Sequence, residues 1–171
     1  TGAGAGPGAP IRLVALDIDG TLLRSNKSLS KRTARAVQRV SQAGVKVVLA
    51  TARPPRSMRE IFQHLQLDTL QVNYNGALIH DMRQRVHVRH QPLAEKLVKE
   101  IVAFARALDP AVAVSVEILD KWYTDHVNPA LPTETARAFV PDYVGPIDAI
   151  VQQPVTKLML LHEPAALERI T

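Results

Sequence analysis

Three short apolar runs, Ile11–Leu16, Val45–Ala50 and Leu70–Tyr74, alternate with two helix-length segments, and this rhythm constrains the chain more than any other feature. A strand buried on both faces of a parallel sheet reads as a continuous apolar run, and parallel neighbours need a crossover, usually a helix. Ser30 is placed to N-cap the first crossover, with Ala34, Val37 and Val40 turned inward and Gly44 closing it. Pro54 and Pro55 open the second, which runs to about Leu65. Strand–helix–strand–helix–strand over residues 11–81 therefore predicts an α/β fold built on a Rossmann-like parallel sheet. Such sheets bind ligands off the carboxyl ends of their strands, where Asp17, Asp19, Gly20, Thr51, Arg53 and Asn75 fall.

After Asp81 the rhythm changes, and residues 82–171 predict a second, α+β domain. A hairpin (Ala77–His80 with Arg85–Val88) leads into a helix over Pro92–Leu108, then strands over Val112–Ile118 and Trp122–Asp125. Residues 128–154 hold five of the twelve prolines and predict irregular structure with one short helix at Glu134–Phe139. Lys157–His162 predicts a last strand, and Pro164 opens a helix running towards Thr171. Residues 1–10, with glycine at 2, 4, 6 and 8 and no charge, bury too little to fold and are expected to be a disordered lead or tag.

Charge is unevenly spread. Between Asp19 and Glu60 there are ten Lys and Arg and no acid, which raises the question of an anionic partner. Lys31, Arg35 and Arg39 share one helix face, while Arg83, Arg85, His87 and Arg89 alternate with Gln84, Val86 and Val88 as one face of a strand. A nucleic-acid-binding module is one class with such faces, but no aromatic side chains interleave with the basic ones to stack bases. Solvated faces, or the field around a small anionic substrate, account for them better. With no cysteine, disulfides, thiolate metal sites and thiol catalysis are excluded, which fits a cytoplasmic protein. No apolar run is long enough for a transmembrane helix.

The carboxylates Asp17 and Asp19 flank one residue at the end of a buried strand, followed by Gly20 and Thr21. Two acids so close repel, which favours a bound cation or a split in their pKa values. One then stays ionised, as nucleophile or oxygen ligand to a hard metal, while the other carries a proton. Gly20 permits a tight turn whose amides face an incoming anion. The imidazoles are less suggestive. His87 and His90 fall on opposite faces of a strand, and no carboxylate joins them or His80 at ligand spacing. Trp122 and Tyr123 read as core of the second domain, and Glu117, Asp120 and Asp125 as solvated residues near its hairpin.

LVALDIDGTLL (Leu13–Leu23) resembles the first motif of the haloacid dehalogenase superfamily of phosphohydrolases. VKVVLATARP (Val45–Pro54) resembles the second, and VNYNGALIHD (Val72–Asp81) is similar to the Asn-Gly-Ala segment of the Cof-type branch, which carries a large α/β cap. The resemblance is close over residues 11–81 and diffuse over 82–171. It implies that Asp17 is the nucleophile forming an aspartyl-phosphate, and that Asp19 is the acid for the leaving alcohol and then the base for water. It further implies Mg²⁺ held by Asp17, by the backbone carbonyl of Asp19 and by a later carboxylate, phosphoryl binding by Thr51, and substrate-side contacts from Arg53 and Asn75, beside the anion-facing Gly20 turn. Ala52 stands where this branch usually has Gly. The family's later motifs, a Lys and an acidic Gly-Asp loop, have no counterpart: Lys157 lies inside a predicted strand, and beyond it the only acids are Glu163 and Glu168. The expected function is Mg²⁺-dependent hydrolysis of a small phosphorylated metabolite, by a chain holding the N-terminal part of the core and most of a cap. The alternative is a truncated, inactive fragment that only binds an anion or a partner.

Overall fold

The computed structural model describes residues 9–127, 129 and 133–162, so the glycine lead through Gly8, Glu163, Glu168 and the helix expected from Pro164 lie outside the described residues. Two compact units are present, one ending at Arg89 and the other beginning at His90. The division thus falls after the hairpin rather than at Asp81, because the hairpin strands extend the first sheet.

In the first unit, β1 (Leu13–Asp17), β2 (Lys46–Ala50) and β3 (Gln71–Asn73) are parallel, and β4 (Leu78–Asp81) and β5 (Val86–His90) continue the sheet in the order β1-β2-β3-β4-β5. The crossovers are α1 (Lys31–Gln42) and α2 (Pro55–Leu65). The Ser30 hydroxyl accepts from the Thr33 amide at 3.0 Å, as its capping position predicts, and Gly44 takes the left-handed φ of +88° that ends α1. The core lies between β2 and the helices: Val47 and Leu49 pack with Ala34, Val37, Met58, Phe62 and Leu65. Val40, expected inward, is 39% exposed, because the stripe facing α2 and the sheet is satisfied by Ala34 and Val37. The basic alternation expected from Arg83 begins only at Val86, since the Asp81 carboxylate accepts from the Arg83 and Gln84 amides and folds them into the turn. Among the described residues β1 and β5 are the two edges of the sheet, and on β1 Leu13 is 57% exposed.

The second unit is a sheet in the order β8-β7-β6-β9, with α3 (Glu95–Leu108) and a core of Val98, Val102, Val114, Val116, Ile147 and Val155. Its strands are β6 (Ala113–Ile118), β7 (Lys121–Thr124), β8 (Tyr143–Val144) and β9 (Lys157–Leu161), and α4 spans Glu134–Ala138. The stretch read as irregular therefore holds a short strand, β8, pinned because Asp142 accepts from and donates to the Trp122 main chain. Trp122 is buried, its indole donating to Ser115 at 2.6 Å. Glu117 and Asp125 are not solvated. Glu117 is fully buried opposite Lys157 in the β6–β9 ladder, which accounts for the position of that lysine. Asp125 pairs with Arg106 at 3.0 Å and accepts from the Val114 amide. No helix among the described residues is long and apolar enough to cross a membrane.

Leu49 is fully buried in the first core. Leu49→Ala is expected to cost about 2–5 kcal/mol in urea unfolding, whereas Val40→Ala stays within about 0.5 kcal/mol.

Candidate active site

The parallel register sets the site. Asp17 pairs with Ala50, and Ala50 with Val72, so β1, β2 and β3 end side by side. The ladder continues past β2, where the Thr51 amide donates to Val72 at 2.9 Å and the Asn75 amide to the Thr51 carbonyl at 3.0 Å. Pleating sends Ile18 into the core, fully buried, and leaves Asp17 and Asp19 exposed on either side of it. Gly20 has φ +78°, a conformation that suits glycine, and the chain then turns back so that the Leu22 and Leu23 amides donate to the Ile18 carbonyl.

The two carboxylates have different surroundings. Asp19 is gripped by a fork from Arg53, Nε to Oδ2 at 2.8 Å and Nη2 to Oδ1 at 2.6 Å, and by Lys27 Nζ at 2.9 Å. The Arg53 hydrogen bonds, reinforced by Lys27 and opposed by partial burial, lower its pKa from 3.8 to about 2. The Asp17 carboxylate makes no hydrogen bond or ion pair with the described residues. Arg53 is itself held from behind, because its amide donates to Thr51 Oγ1 at 3.2 Å and its carbonyl accepts from Asn73 Nδ2 at 3.1 Å.

The structure thus gathers Asp19, Thr51 and Arg53 into one bonded network and ties Asn75 to it through the backbone. Asn75 is exposed, with a left-handed φ of 54°. Sequence reasoning missed two members, Lys27 and Asn73. Asn73 carried a usable signal, an amide inside a buried strand, and its Oδ1 is buried without a partner. Lys27 carried none, since its reach to Asp19 depends on a turn built by Asn26, which accepts from the Ser28 amide and hydroxyl. Among the described residues of this unit, two grooves differ in their relation to the site. The larger, about 570 Å³, runs along α1 between Lys31, Arg35 and Arg39 and includes no strand-end residue. The smaller, about 330 Å³, meets the site only through Lys27.

Because the folded-state pKa of Asp19 is depressed, its pairing stabilises the fold fully above the ordinary carboxylate range and is lost as pH falls towards 2. Arg53→Met is expected to return the Asp19 carboxyl towards the ordinary range in an NMR titration. The associated loss of stability at neutral pH stays under about 1 kcal/mol, since the Asp19 side chain is 39% exposed.

Comparisons with known proteins bear on the family and the fold. The profile of the haloacid dehalogenase-like hydrolases matches residues 14–171. The chain is 33% identical over 135 residues to the 5-amino-6-(5-phospho-D-ribitylamino)uracil phosphatase YitU of Bacillus subtilis, covering 76% of this chain and 50% of that protein. It is 30% identical over 120 residues to the HMP-PP phosphatase of Escherichia coli, covering 70% and 43%. The crystal structure of a haloacid dehalogenase-like hydrolase from Bacteroides thetaiotaomicron superposes with a TM-score of 0.80 at 20% identity, over 94% of this chain and 62% of that one, a likeness of fold. The chain spans about half the length of the curated relatives it matches. The profile match, covering both units, places the chain in the haloacid dehalogenase-like hydrolase family.

Proposed function

We propose that this chain carries the nucleophile-bearing part of a Mg²⁺-dependent phosphomonoester hydrolase of the Cof type, acting on a small phosphorylated metabolite such as a sugar phosphate or a cofactor phosphate. The observation that carries the reading is the unequal treatment of two carboxylates flanking one residue: Asp17 is uncommitted, and Asp19 is clamped by two cations. An unpaired carboxylate at a strand end suits in-line attack on phosphorus. Asp17 forms the bond to phosphorus while the ester P–O bond breaks, and the departing alkoxide takes a proton from Asp19. Asp19 then removes a proton from the water that displaces phosphate from Asp17.

Asp19 starts this cycle ionised, so it must first gain a proton. Arg53 and Lys27 supply the means, because an arriving phosphate dianion competes for both. Once they turn to the phosphoryl oxygens, the Asp19 carboxyl rises towards its ordinary range and takes up the proton. Thr51 is buried at the adjoining strand end and offers its hydroxyl to the phosphoryl group. The exposed Asn75 is placed for the substrate side.

Asp17 and Asp19 are oxygen donors of the hardness Mg²⁺ prefers, and the open Asp17 carboxylate fits a ligand role. Among the described residues no three acidic or imidazole groups converge, so these two supply part of a coordination shell. When bound, Mg²⁺ contributes neutralisation of charge on the phosphoryl oxygens. We assign the second unit, with its buried Trp122 and Glu117, as the substrate-selecting cap.

The test is hydrolysis of p-nitrophenyl phosphate and a panel of phosphomonoesters by the full-length gene product with Mg²⁺. Asp17→Asn is expected to lower kcat by about 10³-fold or more, and Asp19→Asn by about 10²- to 10⁴-fold. Inertness of the wild-type product across the panel overturns the reading. Activity surviving Asp17→Asn removes the nucleophile from Asp17.

A further inference from the structure

The hairpin of the first unit brings together two imidazoles that lie seven positions apart in sequence. His80 on β4 is buried and His87 on β5 is exposed, yet their Nδ1 atoms face each other at 3.1 Å, with ring centroids 4.9 Å apart. Directly opposite His80 in the antiparallel β3–β4 ladder is Gln71, so its side chain leaves the same face of the sheet. Gln71 is 1% exposed, and both atoms of its amide are buried without a hydrogen-bond partner. A row of three nitrogen and oxygen donors therefore crosses β3, β4 and β5, grading from fully buried to solvent. This row shares no residue with the strand-end site.

We infer that His80 and His87, with Gln71 Oε1 beside them, form a chelating site for a divalent transition-metal ion of the zinc class. Two imidazoles bound to one ion at about 2.05 Å stand about 2.9 Å apart at a right angle and about 3.3 Å apart in a tetrahedron. The separation of 3.1 Å lies between these, so ligation needs little rearrangement. In the metal-free chain one ring donates its Nδ1 proton to the other. Ligation moves that proton to Nε2 of the same ring, leaving both Nδ1 lone pairs on the ion. A carbonyl oxygen is an accepted, weaker partner, and Gln71 Oε1 is the buried acceptor on that face still lacking a donor. Because His87 is exposed, the remaining positions open to water. Such a clip would tie the outer strand β5, whose side chains are otherwise exposed from Val86 to Arg89, to the buried part of the sheet.

The site is tested by titrating Zn²⁺ into the 171-residue chain while following imidazole ¹⁵N shifts and the unfolding midpoint. The His80 and His87 signals are expected to move together at one equivalent, and the midpoint to rise. His87→Ala, a surface change that leaves the core intact, is expected to weaken Zn²⁺ binding by at least about tenfold and to abolish the rise. His64→Ala, on α2, is expected to leave both unchanged. The inference is overturned if zinc moves His64, His90 or His126 but not the pair, if His87→Ala binds as tightly as the wild type, or if no binding is detected.

Discussion

Parallel registration of β1 on β2 and of β2 on β3 is the constraint from which the rest of this molecule follows. Side chains alternate along a strand, so a one-residue slip would turn Ile18 outward and bury Asp17 and Asp19. The fully buried Ile18 locks the register from the core side, by the burial that also fixes Leu49 and Met58. Pairing of Asp17 with Ala50 and of Ala50 with Val72 then brings the carboxylate pair, Thr51 and Asn73 to one edge. The placement of the carboxylates and hydrophobic burial are specified here by the same residues.

Within that frame, the Arg53 fork divides the labour between two chemically identical groups. A carboxylate held by an Arg fork and a Lys is stabilised in its charged form and is a poor proton donor. Its neighbour, outside the fork, keeps its oxygens for other partners. The asymmetry rests on Arg53, whose own position depends on Thr51 Oγ1 at one end and the Asn73 amide at the other. Three strands thus hold one guanidinium, and through it they hold the protonation state of Asp19.

Much of this was legible in the sequence. Apolar runs, Ser30, Gly44 and Pro55 place β1, α1, β2 and α2 to within a residue or two, because each signal is local: a cap bonds within its own first turn, and proline fixes its own φ. Strand-end candidates were legible for the same reason, since only strand ends need be known to find them. What was hidden depends on partners distant along the chain. Val40 has the right helical spacing for the core, but whether its edge of α1 is covered depends on α2 and the sheet. Glu117 looks like a surface acid until β9 lays Lys157 opposite it. Asp125 looks solvated until α3 brings Arg106 to it. Whether Arg53 meets Asp19 or some other acid is decided by the β1–β2 pairing, a contact between residues 34 apart.

The polar atoms that remain unmatched sharpen the point. Buried amides are ordinarily hydrogen-bonded, and leaving one unmatched is costly enough that each exception asks for a reason. Among the described residues of the first unit the side-chain exceptions are Gln71 and Asn73, alternate residues of β3 on the face that also carries Leu49. A strand chosen only for packing would place apolar side chains at both positions, as β2 does with Val47 and Leu49. Asn73 has half an explanation, since its Nδ2 holds the Arg53 carbonyl, and its open Oδ1 lies at the strand ends beside Thr51. Gln71 has no such tie, and the imidazoles of His80 on β4 and His87 on β5 are what its position has in common with a ligand set. β3 is therefore the strand whose packing is least explained by burial alone: three residues long, and polar at the two positions where the core would accept hydrocarbon.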